Sequence, residues 1–546
     1  MSAAGQPKAG DARRAAGISS PGAERARGPA ARRRSWWVWA APFAVVAGVL
    51  LARNAFLFTT PLYEDADMGA NSILIEQARR FTLLVGNYSR ERFNHPGPAF
   101  LYVQSWGESL FWAALHAVPA AWNGQLLAVY ALNALFAALV VATGYGWTRS
   151  ARGALGAFAV LLGFGALHPA VFSSDWMPYV YVPAYFAFVV AVASVAAGGL
   201  RDSWIAALSG WFLIHGQACF LFFVPVLSCV ALAALAWPRR RSLRPSLRRF
   251  VSGQRRVWVP VAVISALFLL PIAAELALHW PGSFGKYLSY GSSSHAGGHG
   301  VRQTLDYVLW FWWQGRLAWL APLLLYAAAV AATWRLAHGP ARRLCAWLIA
   351  ISAVSSLAFV CYAFTGIDEL TPTGYYIGYF SWTGPAILVL AIVIAVLDAL
   401  PAGPGAAAAG VAAAVACAAF AAAPQTRTST SHTDPGNLAT GADTDPALPA
   451  GVARLAALSR GRPIVLGLDH DAWPALTGLL VQAERTGVRA CVASPSWEFM
   501  VTSQFICTRS ELADGVAYHL YAPGTVPRGR HAVVRLGRAM VTAAAE

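Results

Sequence analysis

Runs of about 20 apolar residues, enough to cross a hydrocarbon core about 30 Å thick, recur along most of this chain, with arginines in the gaps between them. The first runs from Trp36 to Phe58. Ten more follow near 122–147, 153–171, 179–199, 204–217, 218–237, 257–279, 317–336, 344–364, 376–399 and 405–423. The pattern predicts an all-α polytopic membrane bundle of about eleven transmembrane helices, spanning residues 35–423. Arg149, Arg152, Arg201, Arg335, Arg342 and Arg343 fall in alternate gaps, as does the cluster from Arg239 to Arg256. The positive-inside rule assigns those gaps and the N-terminus to the cytoplasm. An odd number of spans then leaves the C-terminus outside.

Between the first two spans lies a long outer loop, 59–121. Two stretches in it, 68–85 and 99–118, have the pattern of helices lying on the membrane surface. Were the second a span, Arg149 and Arg152 would fall outside. After Pro424 the chain turns to Thr, Ser, Asp, Pro and Gly, which reads as a linker, 424–461, before a domain at 462–546. There an apolar strand from Ile464 to Leu468, a helical pattern from Trp473 to Thr486 and a strand from Val488 to Ala493 predict one β-α-β unit of a small extracytoplasmic α/β domain. It carries no phosphate-binding glycine loop. Residues 1–34, rich in Ala, Gly, Pro and Arg, suit a disordered basic cytoplasmic tail, and the first apolar run is long enough to stay as a helix rather than be cleaved.

A hydrophobic content of 57%, with only 12% charged residues, argues against an ordinary soluble enzyme. The net charge of +16 sits beside apolar runs, so it reports topology and not nucleic-acid binding. Cys219, Cys229, Cys345, Cys361 and Cys417 lie in spans. Cys491 and Cys507 fall in the exported domain, where a disulfide is chemically open to them.

Candidate chemistry concentrates in the first outer loop, which opens with Tyr63-Glu64-Asp65-Ala66-Asp67 and ends with Asn94-His95-Pro96-Gly97-Pro98-Ala99-Phe100-Leu101-Tyr102. Carboxylates at the edge of an apolar phase are costly unless they are solvated or used. Either they serve a reaction, or they are loop charges, with Asp65 and Asp67 capping the helix that follows.

The order of parts resembles the GT-C superfamily of membrane glycosyltransferases, in particular the lipid A aminoarabinose transferase and protein O-mannosyltransferase branch. The parts are a first helix, acidic residues, an amphipathic helix, the turn Gly86-Asn87-Tyr88, and a His-Pro-Gly-Pro segment leading to a second surface helix. In that branch an Asp-containing pair follows helix one, and a Lys-Pro-Pro or His-Pro segment closes the loop. Glu-Asp-Ala-Asp departs from a simple pair, so more than one carboxylate here matches the family position.

The resemblance implies transfer of a sugar from a polyprenyl-phosphate-linked donor to a glycan, lipid or protein acceptor, on the outer face of a bacterial plasma membrane. Asp67 and Asp65 become candidates for the base, with Glu64 behind them. The departing phosphate needs positive charge. Lys286, the only lysine after Lys8, sits in an outer loop, 281–300, and Arg302 follows it. Each either binds phosphate or anchors to lipid headgroups. Asp175 lies where related transferases place an acidic residue, or else caps a turn. His95, His215 and Tyr102 are further candidates for substrate contact. His295 and His299 are set among glycines, which suits a flexible covering loop better than a metal site. A divalent metal is needed by some relatives, and no ligand set here indicates one. Asp368 and Glu369 are loop charges that face the same side. Two rival readings are a transporter or flippase for a lipid-linked precursor and a non-catalytic assembly protein.

Overall fold

The computed structural model describes residues 36–89, 91–237, 254–292, 298–313, 317–423, 444–537 and 539–544, the side chains of 291 and 292 excepted. The expected tail, most of the arginine cluster 239–256 and the first part of the expected linker lie outside the described residues. The membrane part opens with α1 (Trp37–Arg53), α2 (Ala66–Arg79) and α3 (Ala99–Gly107), the last running on into a π-helical stretch, Glu108–Ala114. Then come α4 (Ala121–Thr148), α5 (Ala151–Leu167), α6 (Met177–Ala196), α7 (Ser203–Gly216) and α8 (Phe220–Ala236). Helices α9 (Arg255–His279), α10 (Gly282–Ser292), α11 (Val301–Trp310), α12 (Leu320–Leu336), α13 (Gly339–Thr365), α14 (Thr383–Ala399) and α15 (Ala402–Ala422) complete it.

Helices coincide with all of the expected apolar runs. Among the described residues six are long and apolar enough to cross a membrane by length and composition, counting α14 together with the 3-10 helix before it. The apolar helices α1, α5, α8 and α12 have 17 residues each. That is about 25 Å, the short limit for a span. Apolar all round, α6 is buried at the centre of the bundle, as such a helix must be. By contrast α9 and α12 leave Leu267, Leu270 and Leu324 about two-thirds exposed, a surface suited to lipid. Small residues let α5 and α15 approach closely, with Ala409 and Ala413 buried between them and their neighbours.

The basic gaps gather at one end of the bundle. There Arg152 donates to the Leu400 carbonyl, the Arg343 guanidinium lies 5.8 Å over the Trp147 ring, and the His338 N–H donates to Asp398 at 2.8 Å. The 59–121 loop occupies the other end, where buried Asn123 fastens it. Its amide donates to the carbonyls of Leu57 and Thr60, both at 2.8 Å, and its oxygen accepts from the Leu62 N–H at 3.0 Å.

The α/β domain has a five-stranded sheet: β1 (Ile464–Leu468), β2 (Ala490–Val492), β3 (Val516–Tyr521), β4 (Ala532–Arg535) and β5 (Met540–Ala543), in the order β2-β1-β3-β5-β4. β1 is parallel to β2 and β3, and the two remaining pairings are antiparallel. A helix, Trp473–Arg485, joins β1 to β2, so the expected β-α-β unit is present. Part of the expected linker is folded: Leu448–Ser459 is a helix, with Pro449 in its first turn and Leu448, Val452 and Leu455 buried against the sheet. Its i, i+4, i+7 apolar spacing is short and directly follows the polar run, which hid it.

A disulfide joins Cys491, in the middle of β2, to Cys507. Its separation of 16 residues corresponds to about 3 kcal/mol of loop-closure stabilisation. Cys507→Ser should lower the thermal midpoint of the α/β domain under oxidising conditions, and reduction should bring wild type to the same value.

Residues 68–85, expected on the membrane surface, are instead roofed by the α/β domain. Ala70 and Ile73 of α2 are buried in the same apolar core as Leu476, Leu479 and Leu480 of the Trp473–Arg485 helix. The contact is close enough to need glycine: a Cβ at Gly69 would stand 2.6 Å from the Thr477 hydroxyl, which donates to the Ala66 carbonyl at 2.9 Å. By contrast the 99–118 stretch keeps Trp106, Leu110 and Leu115 exposed.

Candidate active site

A cavity of about 1030 Å³ lies between the loops at one end of the bundle and the α/β domain. Its walls come from 67–95, 176–181, 217–221, 287–290 and 362–377, with 470–500 closing it from above. All of these positions lie at the end opposite the basic gaps. Asp67, in the first turn of α2, is on the wall. Its Oδ1 accepts from the Tyr88 hydroxyl and its Oδ2 from the Trp176 indole N–H at 2.9 Å. Asn71, one turn along the same helical face, also lines the cavity, and its buried Oδ1 has no hydrogen-bond partner among the described residues.

Both donors are held by neighbours. Tyr88 belongs to a turn closed by Gly86 N–H to His95 O at 2.8 Å and His95 N–H to Asn87 O at 2.9 Å. The turn is pinned to the bundle at Gly97, whose N–H donates to the His215 carbonyl and where a Cβ would stand 2.3 Å from the His215 ring. Trp176 is held through its neighbour: Asp175 is fully buried and accepts from the Trp122 indole at 2.6 Å and from Gln104 at 3.3 Å.

Of the residues the sequence nominates, Asp67 and His95 meet on this cavity. His95 Nδ1 accepts from the Ala218 N–H at 3.2 Å, and burial pushes its pKa down to about 4, so the ring is neutral near pH 7 with its proton on Nε2. Lys286 lines an adjoining cavity of about 530 Å³, and its Nζ donates to the Arg92 carbonyl at 3.4 Å. Six others are not on the main cavity. Asp65, at the N-cap of α2, makes no side-chain cap bond and is covered by Gly478 of the α/β domain. Glu64 accepts from Ser72 at 2.6 Å and pairs with Arg485 at 2.7 Å. Asp175 acts behind Trp176. His215 uses both ring nitrogens, accepting from the Ala99 N–H and donating to the Phe268 carbonyl at 2.8 Å. The Tyr102 hydroxyl donates to the Leu83 carbonyl, and Arg302 is exposed beside Asp306. His295 lies outside the described residues, and His299 meets the Ile367 carbonyl at 2.6 Å. Among the described residues no group of three His, Cys, Asp or Glu side chains is placed to hold a metal ion.

No protein-family model matches this chain, and no curated protein does. Among solved structures it is similar to ArnT from Cupriavidus metallidurans, an aminoarabinose transferase of the GT-C family in the apo state, with a TM-score of 0.54 and 13% identity. The likeness covers 94% of this chain and 98% of that one. The chain shares the fold of that structure.

Within this fold the cavity contains residues that the sequence reading did not nominate as site residues. Arg92 is the only Lys or Arg among the described lining residues. It sits in the tip of the 86–95 turn, between the quoted motifs. Asp368 and Glu369 line the cavity too. His470, Trp473, Trp497 and Phe499 come from the α/β domain. A signal for them was available: 470–473 follows β1 and 494–497 follows β2, and the carboxyl ends of adjacent parallel strands are where α/β sheets receive ligands.

Proposed function

We propose that this protein transfers a sugar from a polyprenyl-phosphate-linked donor to a cell-envelope acceptor at the outer face of a bacterial plasma membrane. The observation that carries this reading is Asp67: a half-buried carboxylate on the wall of a large cavity, oriented by Tyr88 and Trp176 and sharing that wall with Arg92. The acceptor hydroxyl attacks C1 of the donor sugar and gives its proton to Asp67 as the new C1–O bond forms. The C1–O bond to phosphate breaks, and the electron pair leaves with polyprenyl phosphate. Arg92 supplies positive charge where that phosphate gathers negative charge, and Lys286 does so from the adjoining cavity, which the lipid-exposed α9 borders through Glu275 and His279. Neutral His95 offers an N–H donor in the same space.

The test uses proteoliposomes with polyprenyl-phosphate sugars of mannose, glucose and arabinose supplied in the outer leaflet, together with a cell-envelope fraction that provides acceptor hydroxyls. Consumption of one of these donors, with release of polyprenyl phosphate, is the expected result. Movement of intact donor across the bilayer would make the protein a transporter and overturn the transferase reading. An impermeant maleimide should label Glu91→Cys from outside in intact cells. Labelling only after permeabilisation would put the cavity on the wrong side.

A further inference from the structure

Resting on the transferase reading, we infer that the α/β-domain wall of the cavity is the acceptor subsite and that it takes an uncharged saccharide chain, in preference to a phosphorylated lipid or a peptide. Rings form a continuous row from this domain to the candidate base. His470 stacks on Trp497 at 5.6 Å and 30°, Trp497 on Phe499 at 6.4 Å and 20°, and Phe499 meets Tyr88 edge-on at 6.2 Å. Tyr88 then donates to Asp67. The row is only partly covered: His470 is exposed, Trp497 and Phe499 are half-buried against the domain core, and the Arg92 guanidinium lies 5.8 Å over the Phe499 ring. Flat apolar faces with polar rims suit the C–H faces of successive sugar rings.

The polar groups beside the row fit hydroxyl donors. Glu91, Asp368 and Glu369 line the cavity with Asp67, so four carboxylates face one guanidinium among the described residues. That balance repels a phosphorylated acceptor and leaves Arg92 for the donor phosphate. Carboxylates, together with the orphan Oδ1 of Asn71, accept from neutral hydroxyls. A peptide would need a free strand edge or a backbone-binding groove. The edge strand nearest the cavity, β2, is short, and the 506–507 segment covers it: the Cys507 N–H donates to the Val492 carbonyl at 3.0 Å, and the disulfide locks it there.

The experiment is saturation-transfer NMR on the full chain in nanodiscs, with no donor present. The probes are neutral oligosaccharides of mannose, arabinose, galactose and glucose, a Ser/Thr-rich peptide, and a phosphorylated glucosamine disaccharide. A neutral oligosaccharide should receive saturation at its ring protons. Trp497→Ala should weaken its binding at least tenfold with an unchanged thermal midpoint, and Trp497→Tyr should restore most of it. Failure of every neutral saccharide to bind, stronger binding of the peptide or the phosphorylated disaccharide, or equal binding by Trp497→Ala would each overturn the subsite. Because binding is read without donor, absent saccharide binding alongside intact donor consumption removes the subsite and leaves the transferase reading standing.

Discussion

Asp67→Asn should lower the rate of sugar transfer by about 10²–10⁴-fold, the range for loss of a positioned general base, with little change in KM for the donor. An amide cannot accept the acceptor's proton at neutral pH. Its Oδ1 can keep the bond from the Trp176 indole N–H only if its NH₂ faces Tyr88, whose hydroxyl must then turn from donor to acceptor. Tyr88→Phe keeps the base and removes one hydrogen bond to it, so its loss should be smaller, on the order of tenfold. The measurement is initial-rate transfer by purified protein in nanodiscs, using the donor that wild type consumes. More than a tenth of wild-type activity in Asp67→Asn would move the base elsewhere, with Glu91 and Asp368 the next carboxylates on the wall. Glu64→Gln separates the two roles within the same acidic run. Its carboxylate meets Arg485 and Ser72 rather than the cavity, so it should act on stability and leave the rate per folded molecule near wild type.

The bundle was legible because lipid leaves a chain few choices: every backbone group must bond internally, so apolar runs of span length become helices, and arginines collect in the gaps at one end of them. The acidic run was legible as a place but not as an assignment. Glu64 and Asp65 precede α2, and Asp65 has an extended backbone with φ −130° and ψ −168°, whereas Asp67 is inside the first helical turn. Residues so close in sequence therefore look in different directions, and a three-residue shift separates an ion pair under a domain from a cavity wall. At 173–178 the acidic residue drew attention, yet it is the neighbouring Trp176 that touches Asp67, with Asp175 holding the segment from behind. The roof of the cavity was invisible for another reason. Its contacts with the first outer loop join residues about 400 positions apart, such as Arg80 with Glu484 at 3.1 Å, and neither partner carries a local pattern that names the other.

That docking makes the second large effect. Arg485, its side chain 9% exposed, reaches Glu64 at 2.7 Å, Glu108 at 3.4 Å and Glu76 at 3.6 Å, and Arg79 holds Glu108 and Glu76 from the other side. Gln125 of α4 adds a bond to Glu108 at 2.8 Å, so the cluster ties the α/β domain, the outer loop and the bundle together. Three carboxylates around two guanidiniums hold Arg485 firmly protonated, while burial and the nearness of Glu108 raise the pKa of Glu76. Arg485→Leu strands buried carboxylates without their main partner and should cost about 3–5 kcal/mol. The α/β domain should then come off the loop, seen as a lower thermal midpoint and faster proteolysis at 444–461. Transfer should fall with it, since the cavity loses its roof. Glu76→Gln tests the same charge balance with the opposite sign. A raised carboxyl pKa means that docking is firmest below the ordinary glutamate range and weakens as pH rises through the raised value. Removing that charge should leave stability at pH 7 equal or higher and flatten its pH dependence. An unchanged midpoint in Arg485→Leu would show that apolar contacts around Ile73 and Leu476, and not this ion cluster, hold the domain in place, and a large loss in Glu76→Gln would show that the Glu76 charge stabilises the docking instead of opposing it.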